Sequence, residues 1–101
     1  MNDPQFCFTA ISTIISDSLD WKRPEQLAAF AAVMTLLDEL ETYARTNDVT
    51  ERIGAIEKLG DARDHLRSAF GLDGARGHSI DQHFSWARIA ITGSRYCITG
   101  T

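Results

Sequence analysis

Apolar side chains recur along the first segment of the chain at the spacing of an amphipathic helix, three or four positions apart. These positions are Phe8, Ile11, Ile15 and Leu19. Serines and threonines fall between them and would lie on the opposite side of the helix. Asp3 and Pro4 suit the start, because aspartate accepts hydrogen bonds from free backbone N–H groups and proline tolerates the first turn. The pattern predicts a first helix over about residues 4–19.

Two longer segments continue with the same helical spacing. The second begins at Pro24 and stays periodic over about residues 24–45, which predicts a second helix there. A third helix is predicted over about residues 49–70, and Asp48 followed by Glu51 resembles a capping box at its start. Because only a few residues separate these two segments, the sequence predicts an antiparallel helical hairpin.

The C-terminal part of the chain carries two competing patterns. Ser79 followed by Gln82 resembles another capping box, which indicates that a helical turn starts there. Further along, apolar residues alternate on both sides of Gly93 and Ser94, and these two residues suit the turn of a β-hairpin. The alternating residues are Ile89, Ile91, Tyr96 and Ile98. We therefore predict a short helix over residues 79–86 followed by a small β-hairpin, with one continuous fourth helix as the alternative.

The composition is that of one ordinary folded domain. The chain has 101 residues, of which 44% are hydrophobic and 24% charged, a balance that permits a single core. We expect a single, mainly α-helical domain over residues 1–101. In it, the N-terminal helix packs on the helical hairpin, and residues 75–101 form an appendage.

The distribution of charge argues against two classes of partner. The formal net charge at neutral pH is −4. Residues 1–74 hold seven lysines and arginines against thirteen aspartates and glutamates, whereas residues 75–101 are weakly basic. A nucleic-acid-binding domain usually carries a basic patch, so we expect no direct contact with nucleic acid. No apolar run approaches the length of a membrane span, so we expect no membrane contact.

The N-terminal segment and the two cysteines indicate the cellular compartment we expect for the protein. The N-terminus carries an acidic residue, Asp3, and no long apolar run, so the sequence does not predict a signal peptide. The two cysteines, Cys7 and Cys97, are expected to stay reduced, although a disulfide joining the two ends is the alternative. We expect a cytoplasmic protein.

The predicted second helix has a wider apolar surface than one core requires. Its large apolar side chains cover roughly 200° of the circumference, whereas about 100° suffices for a helix that faces one core. We expect its own chain to cover one side and a second copy of the same helix to cover the other, which gives a homodimer. A different protein could occupy that second side instead. The alternative is a monomer in which the other segments wrap this helix.

Two charged residues fall within the apolar faces of the predicted second and third helices. Glu41 is expected to pair with Arg52 across the predicted hairpin. Arg63 would come opposite Ala32 and find no acid there, so we expect its guanidinium to extend into solvent, with a contact across an interface as the alternative.

Aromatic residues outside the long helices supply further interface anchors, namely Trp21, Phe84, Trp86 and Tyr96. Aromatic side chains are over-represented in interfaces, and they also seal small cores. The predicted protein interface combines the apolar face of the second helix with two of these aromatics. Its residues are Phe30, Val33, Met34, Leu37, Leu40, Trp86 and Tyr96.

One cluster of residue types suits a metal ion: His78, Asp81 and His83. Zinc takes such ligands when three or four of them converge, but the same spacing arises by chance, so we expect no metal and no cofactor. The G-x-S-x-G, H-E-x-x-H and P-loop motifs are absent from the sequence. We therefore expect no catalytic residues, with a small metal-dependent enzyme that uses this cluster as the alternative.

These observations favour a protein that works by binding another protein. In size, acidity and helix pattern, and without any shared motif, the chain is similar to small bacterial or phage regulatory proteins. Quorum-sensing antiactivators, which block a transcription factor, and phage-borne inhibitors are two such classes. We expect a regulatory inhibitor that covers the working surface of a larger protein. A self-assembling structural module is a further alternative.

Overall fold

In the computed structural model, the described residues form four α-helices and no strand. These residues are 3–18, 23–49, 51–69 and 80–100. The helices are α1 (Pro4–Ser18), α2 (Arg23–Thr46), α3 (Arg52–Ala69) and α4 (Ile80–Thr99). The mainly α-helical fold class predicted from the sequence is confirmed for this part of the chain.

The junctions between elements follow from local hydrogen bonds. At the start of α1, the Asp3 carboxylate accepts a hydrogen bond from the Gln5 backbone N–H at 3.1 Å, as expected of an N-cap residue. Between α2 and α3, the Arg52 guanidinium donates to the carbonyl oxygens of Ala44 at 2.9 Å and Asn47 at 3.0 Å. Carbonyls at a helix C-terminus lack partners within the helix, so Arg52 ties the end of α2 to the start of α3.

The core lies between helices of the same chain. Helix α2 packs against both α1 and α3, and α4 packs against both α1 and α3. Residues from all four helices contribute to one buried cluster, namely Cys7, Phe8, Ile11, Ile15, Ala29, Phe30, Val33, Leu37, Leu40, Leu59, Ala62, Leu66, Ala69, Phe84, Ala87 and Ile91. The wide apolar surface of α2 is therefore explained by two neighbours within its own chain.

The most extensive packing joins α3 to α4, rather than α2 to α3, where the sequence predicted a hairpin. Gly54 lies beside Cys97, whereas His65 lies beside His83, so the two helices run antiparallel. Small residues make up much of the buried side of this pair, namely Ala55, Ala62, Ala69, Ala87 and Ser94. Because the distance between two helix axes depends on the side chains at the contact, these small residues permit a close approach.

The predicted β-hairpin at the C-terminus is wrong, because residues 80–99 form one continuous helix. Ile91 is buried and Ile89 is exposed, so their alternation in the sequence reflects two sides of a helix. Gly93 and Ser94 lie inside the helix rather than in a turn. The Ser94 hydroxyl donates to the Ile91 carbonyl oxygen at 2.7 Å and needs no partner outside the helix. Packing against α3 thus outweighs the local preference of this dipeptide.

Both predicted arrangements of charges on α2 and α3 are also wrong. Arg63 does not extend freely into solvent: it bonds Asp38 at 2.9 Å and Glu41 at 2.9 Å. Glu41 pairs with Arg63 and with Arg45 rather than with Arg52. Burial opposes ionisation of Glu41, but the hydrogen bonds from Arg45 and Arg63 outweigh it and lower the pKa of this carboxyl. The cluster therefore holds the middle of α2 against α3.

Candidate interaction surface

The structure places most of the predicted interface residues inside the molecule. Val33, Leu37 and Leu40 are buried by the other helices of the same chain, and so is Phe30. Met34 is half-buried and packs against the same core. A partner could reach these side chains only if the helices separated. The face of α2 is therefore closed, and the remaining two predicted residues, Trp86 and Tyr96, both belong to α4.

An apolar stripe runs along the outer side of α4, and we call Trp86, Ile89 and Tyr96 the α4 stripe. Trp86 is half-buried, whereas Ile89 is 68% exposed and Tyr96 is 57% exposed. Their spacing of three and then seven residues places them on one side of a helix. The remaining large exposed apolar residues in the described ranges are Phe6, Leu27 and Ile53, each on a different helix. Single exposed apolar residues are ordinary, whereas a contiguous row indicates a binding surface.

A groove lies beside the α4 stripe, between α3 and α4. Its volume is about 390 Å³, within the range of ligand and peptide sites. One bank is charged and comes from α3, with Lys58, Asp61 and His65. The other bank is apolar and comes from α4, with Trp86, Ile89 and Ala90. Trp86 and Ile89 therefore belong to both the stripe and the groove, whereas Tyr96 lines a separate pocket beside Asp48 and Glu51.

A glycine in α4 shapes this groove. A Cβ atom at Gly93 would lie 2.7 Å from Cδ and 2.8 Å from Cε of Lys58. Such distances are shorter than any van der Waals contact between carbon atoms. The stem of Lys58 therefore passes α4 at Gly93, and Lys58 also lines the groove.

Two histidines connect the banks below the groove. Nδ1 of His65 on α3 lies 3.4 Å from Nδ1 of His83 on α4. The Trp86 ring lies against both imidazoles, with centroids 5.2 Å from His65 and 5.5 Å from His83. His83 is only 7% exposed, whereas His65 reaches the groove. This contact positions the indole of Trp86 at the junction of the two helices.

Exposed acidic side chains on α3 differ in whether they form ion pairs. Asp38, Glu41 and Asp64 each pair with an arginine. Within the described ranges, no ion pair engages Glu57 or Asp61, which are exposed one helical turn apart. Of these two acids, Asp61 lines the groove, and Lys58 lines it as well.

The predicted metal cluster lies largely outside the described part of the chain. His78 falls among residues that the structure does not describe, as does the side chain of Asp81. His83 is described, and it contacts His65 and Trp86. Among the described residues, no group of three or more His, Cys, Asp or Glu side chains is arranged to hold a metal ion.

Neither cysteine forms a disulfide. Burial raises the pKa of the Cys7 thiol to about 11, and the adjacent Glu39 carboxylate adds to the effect. The thiol donates to Oε2 of Glu39 at 3.6 Å. Because the thiolate is the reactive form, a protonated and buried Cys7 is a poor nucleophile at neutral pH.

Trp86 and Tyr96 are predicted as interface residues from the sequence, whereas Ile89 is not. A signal was present: residues 86, 89, 93 and 96 follow a spacing of three, four and three, which is that of one helical face. The interpretation of Gly93 and Ser94 as a turn concealed it.

Comparison of the chain with protein-family models, with curated proteins and with solved structures finds no match. Among the described residues, every helix is too short or too polar to cross a membrane. The function is therefore inferred from the α4 stripe and the groove beside it.

Proposed function

We propose that this chain is a non-enzymatic protein-interaction module that binds a larger protein through the α4 stripe and the adjoining groove. The observation that supports the proposal is the row of exposed apolar and aromatic side chains beside a groove with one charged bank. Aromatic anchors surrounded by polar groups are typical of the centre of a protein interface. This surface replaces the buried face of α2 as the binding site.

The mode of action we propose is inhibition by occupancy. In it, α2 and α3 form an antiparallel support that presents α4, and α4 covers the working surface of the partner, as a transcription-factor antiactivator or a phage-type inhibitor would. Regulation of this kind needs no turnover, cofactor or catalytic group. The free thiols of Cys7 and Cys97 suit a reducing compartment such as the cytoplasm.

The test compares two isoleucines of similar exposure that lie on different helices. Ile89→Gln places an amide in the α4 stripe, whereas Ile53→Gln makes the same change on α3, where the side chain is 75% exposed. Removing one apolar anchor from an interface costs about 1–3 kcal/mol, so we expect Ile89→Gln to weaken capture of a partner at least about fivefold. Affinity capture from a lysate, with quantitative mass spectrometry, measures the difference between the variants.

The control variant decides the interpretation. Ile53→Gln should capture the same partner as the unaltered protein, and circular dichroism should show equal helix content in all three proteins. Equal capture by Ile89→Gln and the unaltered chain would exclude the α4 stripe as the binding surface.

Self-association through the α4 stripe is the second candidate, since symmetric pairing of exposed helix faces is common. The exposed row spans about ten residues, or roughly 15 Å along the helix, which is short for a stable dimer interface. Light scattering of the purified protein separates the candidates. A dimer that becomes a monomer on Ile89→Gln, without a foreign partner, would favour self-association.

A further inference from the structure

We propose that a pocket between α1 and α4 binds a small aliphatic carboxylate. The pocket has a volume of about 180 Å³, which is smaller than the site of a drug-sized ligand, so its ligand must be small. Among the described residues, it shares no lining residue with the groove between α3 and α4 and none with the α4 stripe. This binding site and the proposed interaction surface can therefore be tested separately.

Two pairs of polar side chains line the pocket. Ser12 and Ser16 are four residues apart on α1, and Arg88 and Thr92 are four residues apart on α4. Residues at this spacing lie on the same side of a helix, so both helices direct a polar pair at the space between them. All four side chains are exposed.

The hydroxyl groups at the pocket are available to a ligand. Elsewhere in the described residues, hydroxyls donate to carbonyl oxygens of their own helix, namely those of Thr13, Thr35, Thr46, Ser94 and Thr99. The described residues supply no such acceptor to Ser12, Ser16 or Thr92. These three hydroxyls can therefore donate to an oxyanion that lies between the two helices.

Arg88 gives the pocket a positive charge that no acid of the described residues neutralises. The other arginines with described side chains have partners within the chain, namely Arg45, Arg52, Arg63, Arg67 and Arg95. Arg88 has no ion pair or hydrogen bond with a described residue, and residues 82–101 contain no aspartate or glutamate. The planar guanidinium group matches the two oxygens of a carboxylate.

The floor of the pocket selects a ligand with an apolar part. It is formed by Ile11, Ile15 and Ile91, which are almost completely buried. Inorganic phosphate is polar on every side and would place oxygen atoms against these side chains without hydrogen bonds, which is unfavourable. An aliphatic carboxylate would instead place its hydrocarbon chain on the isoleucines and its oxygens beside Arg88 and the hydroxyls.

The experiment titrates the full chain with three small probes and follows its backbone amides by proton–nitrogen correlation NMR. Butyrate has both an apolar chain and a carboxylate, n-butylammonium has the same chain with the opposite charge, and phosphate has no chain. We expect butyrate to shift the amide signals of Ser12, Ser16, Arg88 and Thr92 with a dissociation constant of about 1–10 mM, as suits so small a ligand. The other two probes should bind at least about fivefold more weakly.

Two variants with the same change in net charge locate the carboxylate. Arg88→Gln removes the guanidinium at the pocket, and because hydrogen bonds between charged groups are strong, it should weaken butyrate binding about tenfold. Arg67→Gln removes a cation from α3, where the side chain is 49% exposed, and should change the affinity less than about twofold. Ser12→Ala together with Ser16→Ala keeps the charge and should weaken binding about fivefold. Circular dichroism should show equal helix content in all variants.

Three results would overturn the inference. If butyrate shifts the pocket amides without saturation, or shifts only amides elsewhere, the pocket is not its binding site. If n-butylammonium or phosphate binds as tightly as butyrate, the ligand is not an aliphatic carboxylate. If Arg88→Gln and Arg67→Gln weaken binding equally, the carboxylate is not held by Arg88.

Discussion

Two apolar surfaces of this molecule have opposite fates. The face of α2 has the larger number of leucine, valine and phenylalanine side chains, and the chain's own helices bury it. The outer side of α4 has fewer apolar residues, yet Ile89 and Tyr96 remain exposed there. The apolar width of a helix therefore measures how many neighbours it has, and it does not show whether those neighbours belong to the same chain.

The reason for the difference lies in α3. Its buried residues, Ala55, Leu59, Ala62, Leu66 and Ala69, share one face, and α3 packs against both α2 and α4. One side packs on α2, where Arg63 bonds Asp38 and Glu41. The other side packs closely on α4. Because α3 packs on both α2 and α4, the apolar face of α2 is enclosed. The outer side of α4 has no neighbour among the described residues.

The largest expected effect is a loss of stability when the buried face of α2 is changed. Leu37 has no solvent-exposed surface, so Leu37→Gln removes a core side chain and buries an amide. We expect the free energy of unfolding to fall by about 3–5 kcal/mol, as measured by urea denaturation. The same substitution at Ile89 should change it by less than about 0.5 kcal/mol. A similar small change at Leu37 would mean that the face of α2 is open to solvent.

That contrast also shows what the sequence could and could not predict. Helical periodicity and capping residues were sufficient for α1 and α2, because each side of those helices has a distinct character. The prediction for residues 80–99 is wrong because Gly93 and Ser94 suit a turn locally, while their small size also suits a close helix contact. Which of the two prevails depends on α3, which is distant in sequence, and a local pattern contains no information about it.

The charged cluster illustrates the same limit. The register of α2 against α3 was estimated from the break between them, and it placed Arg63 opposite Ala32. In the structure Arg63 meets Asp38 and Glu41 instead. A shift of about two helical turns converts an isolated cation into a three-residue cluster, and periodicity within each helix is insensitive to such a shift.

A smaller effect tests whether α3 holds the face of α2 closed. Arg63→Met keeps an unbranched apolar stem but removes the guanidinium, which leaves the partly buried Glu41 with Arg45 alone. We expect a loss of about 1–2 kcal/mol in the free energy of unfolding at neutral pH. No change would mean that Arg63 does not contribute to the contact between α2 and α3.

The same variant should alter the pH dependence of stability. Because the folded state lowers the pKa of Glu41, the stability contributed by this group is present above the unfolded pKa and is lost as the pH falls through the lower, folded value. Arg63→Met should therefore lose less stability on acidification than the unaltered protein does. Urea denaturation at several pH values below neutrality measures this. An equal loss in both proteins would contradict the assignment of Arg63 as a cause of the shift.

The smallest expected effect concerns the groove side of α4. It compares alanine substitutions at two glycines that lie inside helices. A Cβ at Gly60 on α3 would meet no atom within 4 Å, so Gly60→Ala should stabilise the protein by about 0.5–1 kcal/mol through helix propensity alone. Gly93→Ala has the same gain in helix propensity. Its new Cβ would lie 2.7 Å from Cδ of Lys58, however, so the Lys58 stem must move. We expect its gain in thermal denaturation to be smaller than that of Gly60→Ala. It should also change binding at the groove, whereas Gly60→Ala should not. If the two variants behave alike in both measurements, Lys58 does not lie across Gly93, and the groove has a different shape from the one on which the binding argument depends.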